Sequence, residues 1–109
     1  MESDVYFADE KTKETYQKLL ESKTEEKELH KWITRAIADL RQNAFVGIQI
    51  RKNLFPVEYI QKYNIENLWK YDLPRGWRLI YTLNKEGIMV LSIILEWMNH
   101  KEYERRFGY

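Results

Sequence analysis

The sequence of 109 residues contains no cysteine, which excludes disulfides, thiolate metal sites and cysteine nucleophiles. It has only 2 histidines, His30 and His100, and they do not have the spacing of zinc ligands. Its 4 glycines are scattered, so no glycine-rich loop can cradle a nucleotide phosphate. Acidic residues form no cluster that predicts a calcium or magnesium site. We therefore expect neither a metal nor a cofactor.

Long apolar runs are also missing. No stretch approaches the roughly 20 apolar residues that span a bilayer, and the acidic start Met1–Asp4 does not fit a signal peptide. Together with the absence of cysteine, this predicts a cytoplasmic protein without a membrane partner. The length predicts one domain over residues 1–109.

The net charge of +1 is unevenly distributed. Residues 1–30 hold 5 basic and 9 acidic side chains, residues 31–85 hold 10 and 4, and residues 86–109 hold 3 and 4. The middle of the chain is therefore a candidate basic face for nucleic acid. The alternative is an ordinary solvated surface.

The first half predicts a short strand and a helical hairpin. Val5–Ala8 is apolar enough for an edge strand, and Asp9 can cap a first helix that ends near Glu21. A second helix, with Thr24 as its N-cap, is predicted by apolar residues that recur along one helical face. These residues are Leu29, Trp32, Ile33, Ala36, Ile37 and Leu40. The short link Ser22–Lys23 makes the helices antiparallel.

The second half predicts mainly strands. Gly47 ends the second helix, where it is free to be left-handed, and Pro56 opens a short helix over 56–63 that stops at Asn64. Strands are predicted over 68–73, 77–83 and 88–97, the last as the central strand because it is almost continuously apolar. Turns are predicted at 74–76 and 84–87. The charged tail 101–106 suits one helical turn or a short strand.

This order of elements predicts an α+β fold. The N-terminal strand and the antiparallel helical hairpin pack on one face of a small antiparallel β-sheet. Along the strand 77–83, Trp77 and Leu79 face one side, and Arg78 and Ile80 face the other.

Several side chains suit chemistry on a nucleic acid. Arg78, in the middle of a strand, presents a planar fork that fits a phosphate, or else it pairs with Asp72 or Glu96. His100 follows a strand and can act as a general acid or base. Tyr103, near Arg105 and Arg106, can stack on a base, or it packs on the sheet while glutamates neutralise the arginines.

Three segments together resemble one family. Trp69–Tyr81 is similar to the hairpin of RelE-type toxins, whose second strand reads Trp/His-Arg-Leu-Ile/Val-Tyr. Ala44–Gly47 is similar to the Pro-Phe-x-Gly turn that follows the second helix, with Ala44 in place of proline. His100–Arg105 is similar to the closing His-(basic)-x-Tyr motif. The chain thus resembles the RelE/ParE superfamily of type II toxin–antitoxin toxins, in its archaeal RelE-like and HigB-like branch.

The resemblance implies a ribosome-dependent mRNA endonuclease in which the ribose 2′-OH attacks the adjacent phosphate. Arg78 would stabilise the charge that develops on the phosphate, His100 would protonate the leaving oxygen, and Tyr103 would stack on or orient the substrate. The general base stays open between Glu58, Lys52 and Glu96.

We expect further contacts with RNA from basic side chains, namely Arg51, Lys52, Lys70, Arg75, Lys101, Arg105 and Arg106. The expected partners are a cognate antitoxin, the ribosome and mRNA. Tyr63, Trp69, Tyr71 and Trp97 are candidate antitoxin anchors, unless they are buried. Two alternatives remain: a ParE-like toxin that binds DNA gyrase without cleaving RNA, and a degenerate RNA-binding or interaction domain.

Overall fold

The computed structural model describes residues 1–23 and 25–108, and over these ranges the chain forms four α-helices and a five-stranded mixed sheet. In chain order the elements are β1 (Asp4–Phe7), α1 (Glu10–Lys18), α2 (Glu25–Gln42), β2 (Ile48–Gln49), α3 (Val57–Tyr63), β3 (Trp69–Asp72), β4 (Arg78–Glu86), β5 (Met89–Met98) and α4 (His100–Phe107). Short 3-10 turns follow α1, β2 and β3. This confirms the α+β class.

The sheet has the order β1-β5-β4-β3-β2. Strand β1 runs parallel to β5, and the other pairs are antiparallel. The prediction of a fully antiparallel sheet was therefore wrong. The helical hairpin follows β1 directly, so β1 does not pair with the next strand along the chain and pairs instead with the last strand, β5. The apolar strand β5 is interior, but β4 is the middle strand. Hydrophobicity reports burial and does not identify a strand's neighbours.

The β4–β5 hairpin is longer than predicted. Asn84, Lys85 and Glu86 were expected in the turn, but they continue the ladder, with Glu86 opposite Met89. The turn lies at Gly87 and Ile88. These polar residues extend a strand because their side chains reach solvent while their backbone groups stay paired.

The α1–α2 hairpin covers one face of the sheet, as predicted. Helix α2 buries Leu29, Ile33, Ala36 and Leu40 against the side of the sheet that carries Leu79, Tyr81 and Ile94. Asp9 caps α1 by accepting a hydrogen bond of 2.7 Å from the Thr12 amide. The predicted cap Thr24 lies outside the described residues.

Helices α3 and α4 cover part of the opposite face. Tyr59 of α3 and Tyr103 and Phe107 of α4 pack there with Ile80 and Leu95 of the sheet. Helix α3 begins one residue after the predicted start and ends at Tyr63, where Asn64 forms the left-handed C-cap with a φ of 50°. The charged tail forms α4, which is longer than one turn.

Gly47 is needed for space rather than for a left-handed conformation. Its φ is not positive, and α2 ends earlier, at Gln42. A Cβ at Gly47 would lie 2.5 Å from both the Lys70 carbonyl oxygen and Tyr81 Oη. The residue thus lets the chain pass close to β3 and β4. Among the described residues, none of the helices combines the length and apolar character needed to cross a membrane.

Candidate functional site

The register between β3 and β4 brings three charged side chains to one face of the sheet. Lys70 lies opposite Ile80, and Asp72 lies opposite Arg78. Because directly opposite residues of an antiparallel pair project to the same side, Lys70, Asp72 and Arg78 share the face that α4 covers. The predicted placement of Arg78 and Ile80 on one face is confirmed.

Helix α4 supplies an aromatic ring to these charges. Asn99 caps the helix by accepting a hydrogen bond of 2.9 Å from the Glu102 amide. The first turn then carries Tyr103 into the core, where it is 4% exposed. The Arg78 guanidinium carbon lies 5.3 Å from the centre of the Tyr103 ring, and Lys70 Nζ lies 5.6 Å from it. Both cations are within the range of a cation–π contact.

We call Lys70, Asp72, Arg78 and Tyr103 the Arg78 cluster. Lys70 Nζ is 3.0 Å and Arg78 Nε is 2.9 Å from the same oxygen, Asp72 Oδ1. The Arg78 Nε contact is an ion pair without hydrogen-bond geometry, whereas Arg78 Nη1 donates to the Trp77 carbonyl oxygen at 3.3 Å. The alternative partner considered for Arg78, Asp72, is therefore its actual partner.

His100 is the first residue of α4, three positions before Tyr103. Arg78 is opposite Met98 in the β4–β5 ladder, two residues before His100. A Cβ at Gly76, which follows Arg75 in the turn before β4, would lie 3.0 Å from His100 Cβ. The imidazole is 59% exposed, and its Nε2 is 2.5 Å from Glu104 Oε1. Within the described ranges, no hydrogen bond or ion pair joins His100 to Arg78.

A separate group of charges surrounds Arg106, near the C-terminal end of α4. Arg106 is 2.9 Å from Glu96, 3.0 Å from Glu102 and 3.7 Å from Glu58, and we call these four residues the Arg106 network. Burial lowers the pKa of Arg106, but Glu102 and Glu96 outweigh that effect and raise it. Two of the three candidate bases, Glu58 and Glu96, therefore contact Arg106 instead of the Arg78 cluster.

The Arg106 network borders a cavity of about 410 Å³ between α1, α3 and β5. Tyr59 lines this cavity and is 2% exposed. Burial and the neighbouring Glu96 raise the pKa of the Tyr59 hydroxyl. The cavity and the Arg78 cluster are built from different residues.

The remaining basic candidates are dispersed. Arg51 and Lys52 are exposed after β2, and Lys101 is exposed next to His100. Arg75 turns towards α2, where its guanidinium carbon is 6.0 Å from the centre of the Trp32 ring. Arg105 is 76% exposed and pairs with Glu102 at 2.6 Å. Of the side chains expected to contact RNA, Lys70 is the one that the described structure brings to Arg78 and Tyr103.

The candidate aromatic anchors are half-buried. Trp69, Tyr71 and Trp97 pack against the core under the α1–α2 hairpin, and Tyr63 packs against the core under α3 and α4. Tyr71 also donates a short hydrogen bond to Asp39 of α2. Other apolar side chains are more exposed, notably Phe45, Val46, Ile48 and Ile88.

Sequence reasoning missed the role of Asp72 as the shared partner of two cations. The available signal was the pair Lys70 and Asp72, two residues apart on a strand and therefore on one face. The described residues contain no group of three or more acidic or histidine side chains placed to hold a metal ion.

Comparison with known proteins gives no relative from which a role can be transferred. No protein-family model, no curated protein sequence and no solved structure matches the chain.

Proposed function

We propose that this chain is a RelE-like toxin of a type II toxin–antitoxin module, acting as a ribosome-dependent mRNA endonuclease that needs no metal. One observation carries the proposal: two cations, Lys70 and Arg78, meet over the buried ring of Tyr103, and His100 begins the same helix. A pair of cations that can bind a phosphate, together with an acid–base residue, is the minimum equipment for cleaving RNA through its own 2′-OH.

In the proposed reaction the ribose 2′-OH loses its proton to water as its oxygen attacks the adjacent phosphorus, and the bond from phosphorus to the 5′-oxygen breaks. The products are a 2′,3′-cyclic phosphate and a 5′-OH. Arg78 and Lys70 stabilise the negative charge that builds on the phosphate oxygens. His100 donates a proton to the leaving 5′-oxygen, while the Tyr103 ring holds both cations in position through cation–π contacts.

The partners follow from this activity. The ribosome presents the message, and a cognate antitoxin, also in the cytoplasm, neutralises the toxin. Under this proposal the exposed basic side chains Arg51, Lys52 and Lys101 contact backbone phosphates outside the cluster.

Induced expression in a bacterial host tests the proposal. Wild type is compared with Arg78→Ala and His100→Ala, and with Arg75→Ala as the matched control. Arg75 is the same residue type in the same hairpin, but it contacts Trp32 instead of the cluster. Growth arrest with new mRNA 5′ ends inside reading frames, retained in Arg75→Ala and lost in the other two, supports the nuclease. Arrest that survives in all variants supports a toxin of the gyrase-binding kind.

A second candidate is an RNA-binding domain that does not cleave. It is favoured by the ion pairs that engage Arg78 with Asp72 and His100 with Glu104. Such a domain shows salt-dependent binding of RNA that is weakened by Arg78→Ala, with no cleaved product on or off the ribosome.

A further inference from the structure

The Arg78 cluster contains more positive charge than its own carboxylate neutralises. Lys70 and Arg78 are 18% and 16% exposed at their side chains, so water screens them only partly. Asp72 is their shared anion, and within the described residues no second carboxylate pairs with either of them. One positive charge is left without a partner at a half-enclosed site.

The space between the two cations suits a phosphate. Because both nitrogens contact one oxygen atom at 3.0 Å and 2.9 Å, they lie at most about 6 Å apart, which lets one tetrahedral phosphate contact both. The Tyr103 ring closes one side of this space. Asp72 is the most exposed member of the cluster, so we infer that a ligand reaches this space from its side.

We propose that Asp72 occupies the position of an RNA phosphodiester and competes with it for Lys70 and Arg78. This inference rests on the proposed function, because it names the resting occupant of the same phosphate site. The Asp72 side chain is 48% exposed and ends a strand, so it has solvent to move into when a phosphate arrives. Binding of RNA then includes the separation of two internal ion pairs.

The test is equilibrium binding of a fluorescently labelled single-stranded RNA to the purified chain, measured by anisotropy. Asp72→Asn keeps the size of the side chain and removes its charge. Asp4→Asn is the matched control, since it makes the same change in net charge at an exposed position on the far edge strand β1. Inorganic phosphate is used as a competitor with each protein.

We expect Asp72→Asn to bind RNA about five-fold more tightly than wild type, while Asp4→Asn gains no more than about two-fold from its general effect on net charge. Adding Arg78→Ala to Asp72→Asn should remove the gain. If Asp72→Asn does not fold, as judged by circular dichroism, Asp72→Ser replaces it in the same comparison.

Three results overturn the inference. Equal gains in Asp72→Asn and Asp4→Asn show a long-range charge effect, and weaker binding by Asp72→Asn shows that Asp72 organises the cations. Tighter binding of inorganic phosphate by Asp72→Asn, without tighter binding of RNA, shows a site for a free anion instead of an RNA phosphate. Tighter RNA binding without any cleavage on the ribosome leaves the inference standing and removes the proposed nuclease, so the two failures are distinguishable.

Discussion

The guanidinium carbon of Arg78 lies 5.3 Å from the centre of the Tyr103 ring. This contact links β4, the middle strand of the sheet, to the helix α4. Tyr103 also stacks on Phe107 with ring centres 4.6 Å apart, so a second buried ring holds it in place. The arginine is therefore supported by a rigid surface instead of extending freely into solvent. This contact makes the position of Arg78 depend on the docking of α4.

The first prediction concerns the Tyr103 ring. Tyr103→Ala removes a buried aromatic side chain and should lower the free energy of unfolding by about 3 kcal/mol. Tyr103→Phe keeps the ring and should bind RNA within about two-fold of wild type, since the support of the cations is a property of the ring. Urea unfolding and RNA anisotropy measure the two effects. A large loss of RNA binding in Tyr103→Phe would assign a direct role to the hydroxyl.

The second prediction separates two neighbouring arginines. Arg106→Ala leaves Glu96, whose side chain is 30% exposed, without its cation. It should cost about 2 kcal/mol of stability, less than at a fully buried pair because water still reaches the carboxylate. Arg105→Ala removes only a surface pair with Glu102 and should leave stability unchanged within error. Thermal unfolding of both variants gives the comparison, and equal losses would contradict it.

The sequence predicted the elements that depend on local pattern. The 3.6-residue periodicity located α2 and its buried face, and alternation along β4 put Arg78 and Ile80 on the same side. Helix α4 was harder to predict, because it buries only Tyr103 and Phe107 among charged residues. Two apolar positions one turn apart are too few to distinguish a full helix from a single turn.

The sequence pattern did not indicate which strands pair with each other. Alternation of side chains is the same for parallel and antiparallel neighbours, so the parallel contact of β1 with β5 could not be predicted. The same limit applies to the site. Its dependence on the register Asp72–Arg78 and on the docking of α4 is a tertiary property. Arg78 and Lys70 were predicted as site residues, but Asp72, the anion that contacts both of them, was predicted only as one alternative partner of Arg78.

The third prediction concerns Gly47. Gly47→Ala places a methyl group against a backbone carbonyl and the buried Tyr81, and it should cost about 3 kcal/mol. Gly87→Ala is the matched control: it meets no atom within 4 Å and has a φ of +65°, so it should cost only about 1 kcal/mol of backbone strain. Urea denaturation of both variants provides the test. A smaller loss at Gly47 than at Gly87 would contradict the close approach of the chain to β3 and β4.

The fourth prediction is a dependence of stability on pH through Asp9. Hydrogen bonds from Thr12 lower the pKa of Asp9 below its usual value of 3.8. Since the folded-state pKa is the lower one, this stabilisation is complete above about pH 4 and is lost as the pH falls through the folded-state value. Asp9→Asn retains a capping oxygen without titrating.

Unfolding free energies of wild type and Asp9→Asn, measured from neutral pH to about pH 2, isolate the effect of this single carboxylate. The advantage of wild type should shrink as the solution becomes more acidic. A difference between the two proteins that stays constant with pH would show that Asp9 caps α1 without any contribution from its charge.

The central claim is that Arg78 stabilises an RNA phosphate during cleavage. The most direct measurement is cleavage of a defined message in a reconstituted translation reaction, with the new ends mapped by primer extension and the upstream fragment tested for a 2′,3′-cyclic phosphate. The proposal predicts such ends within ribosome-bound codons for wild type and for Arg75→Ala. For Arg78→Ala it predicts a loss of about 100-fold or more. Cleavage that is equal in Arg78→Ala and Arg75→Ala, or no cleavage by wild type, would contradict it.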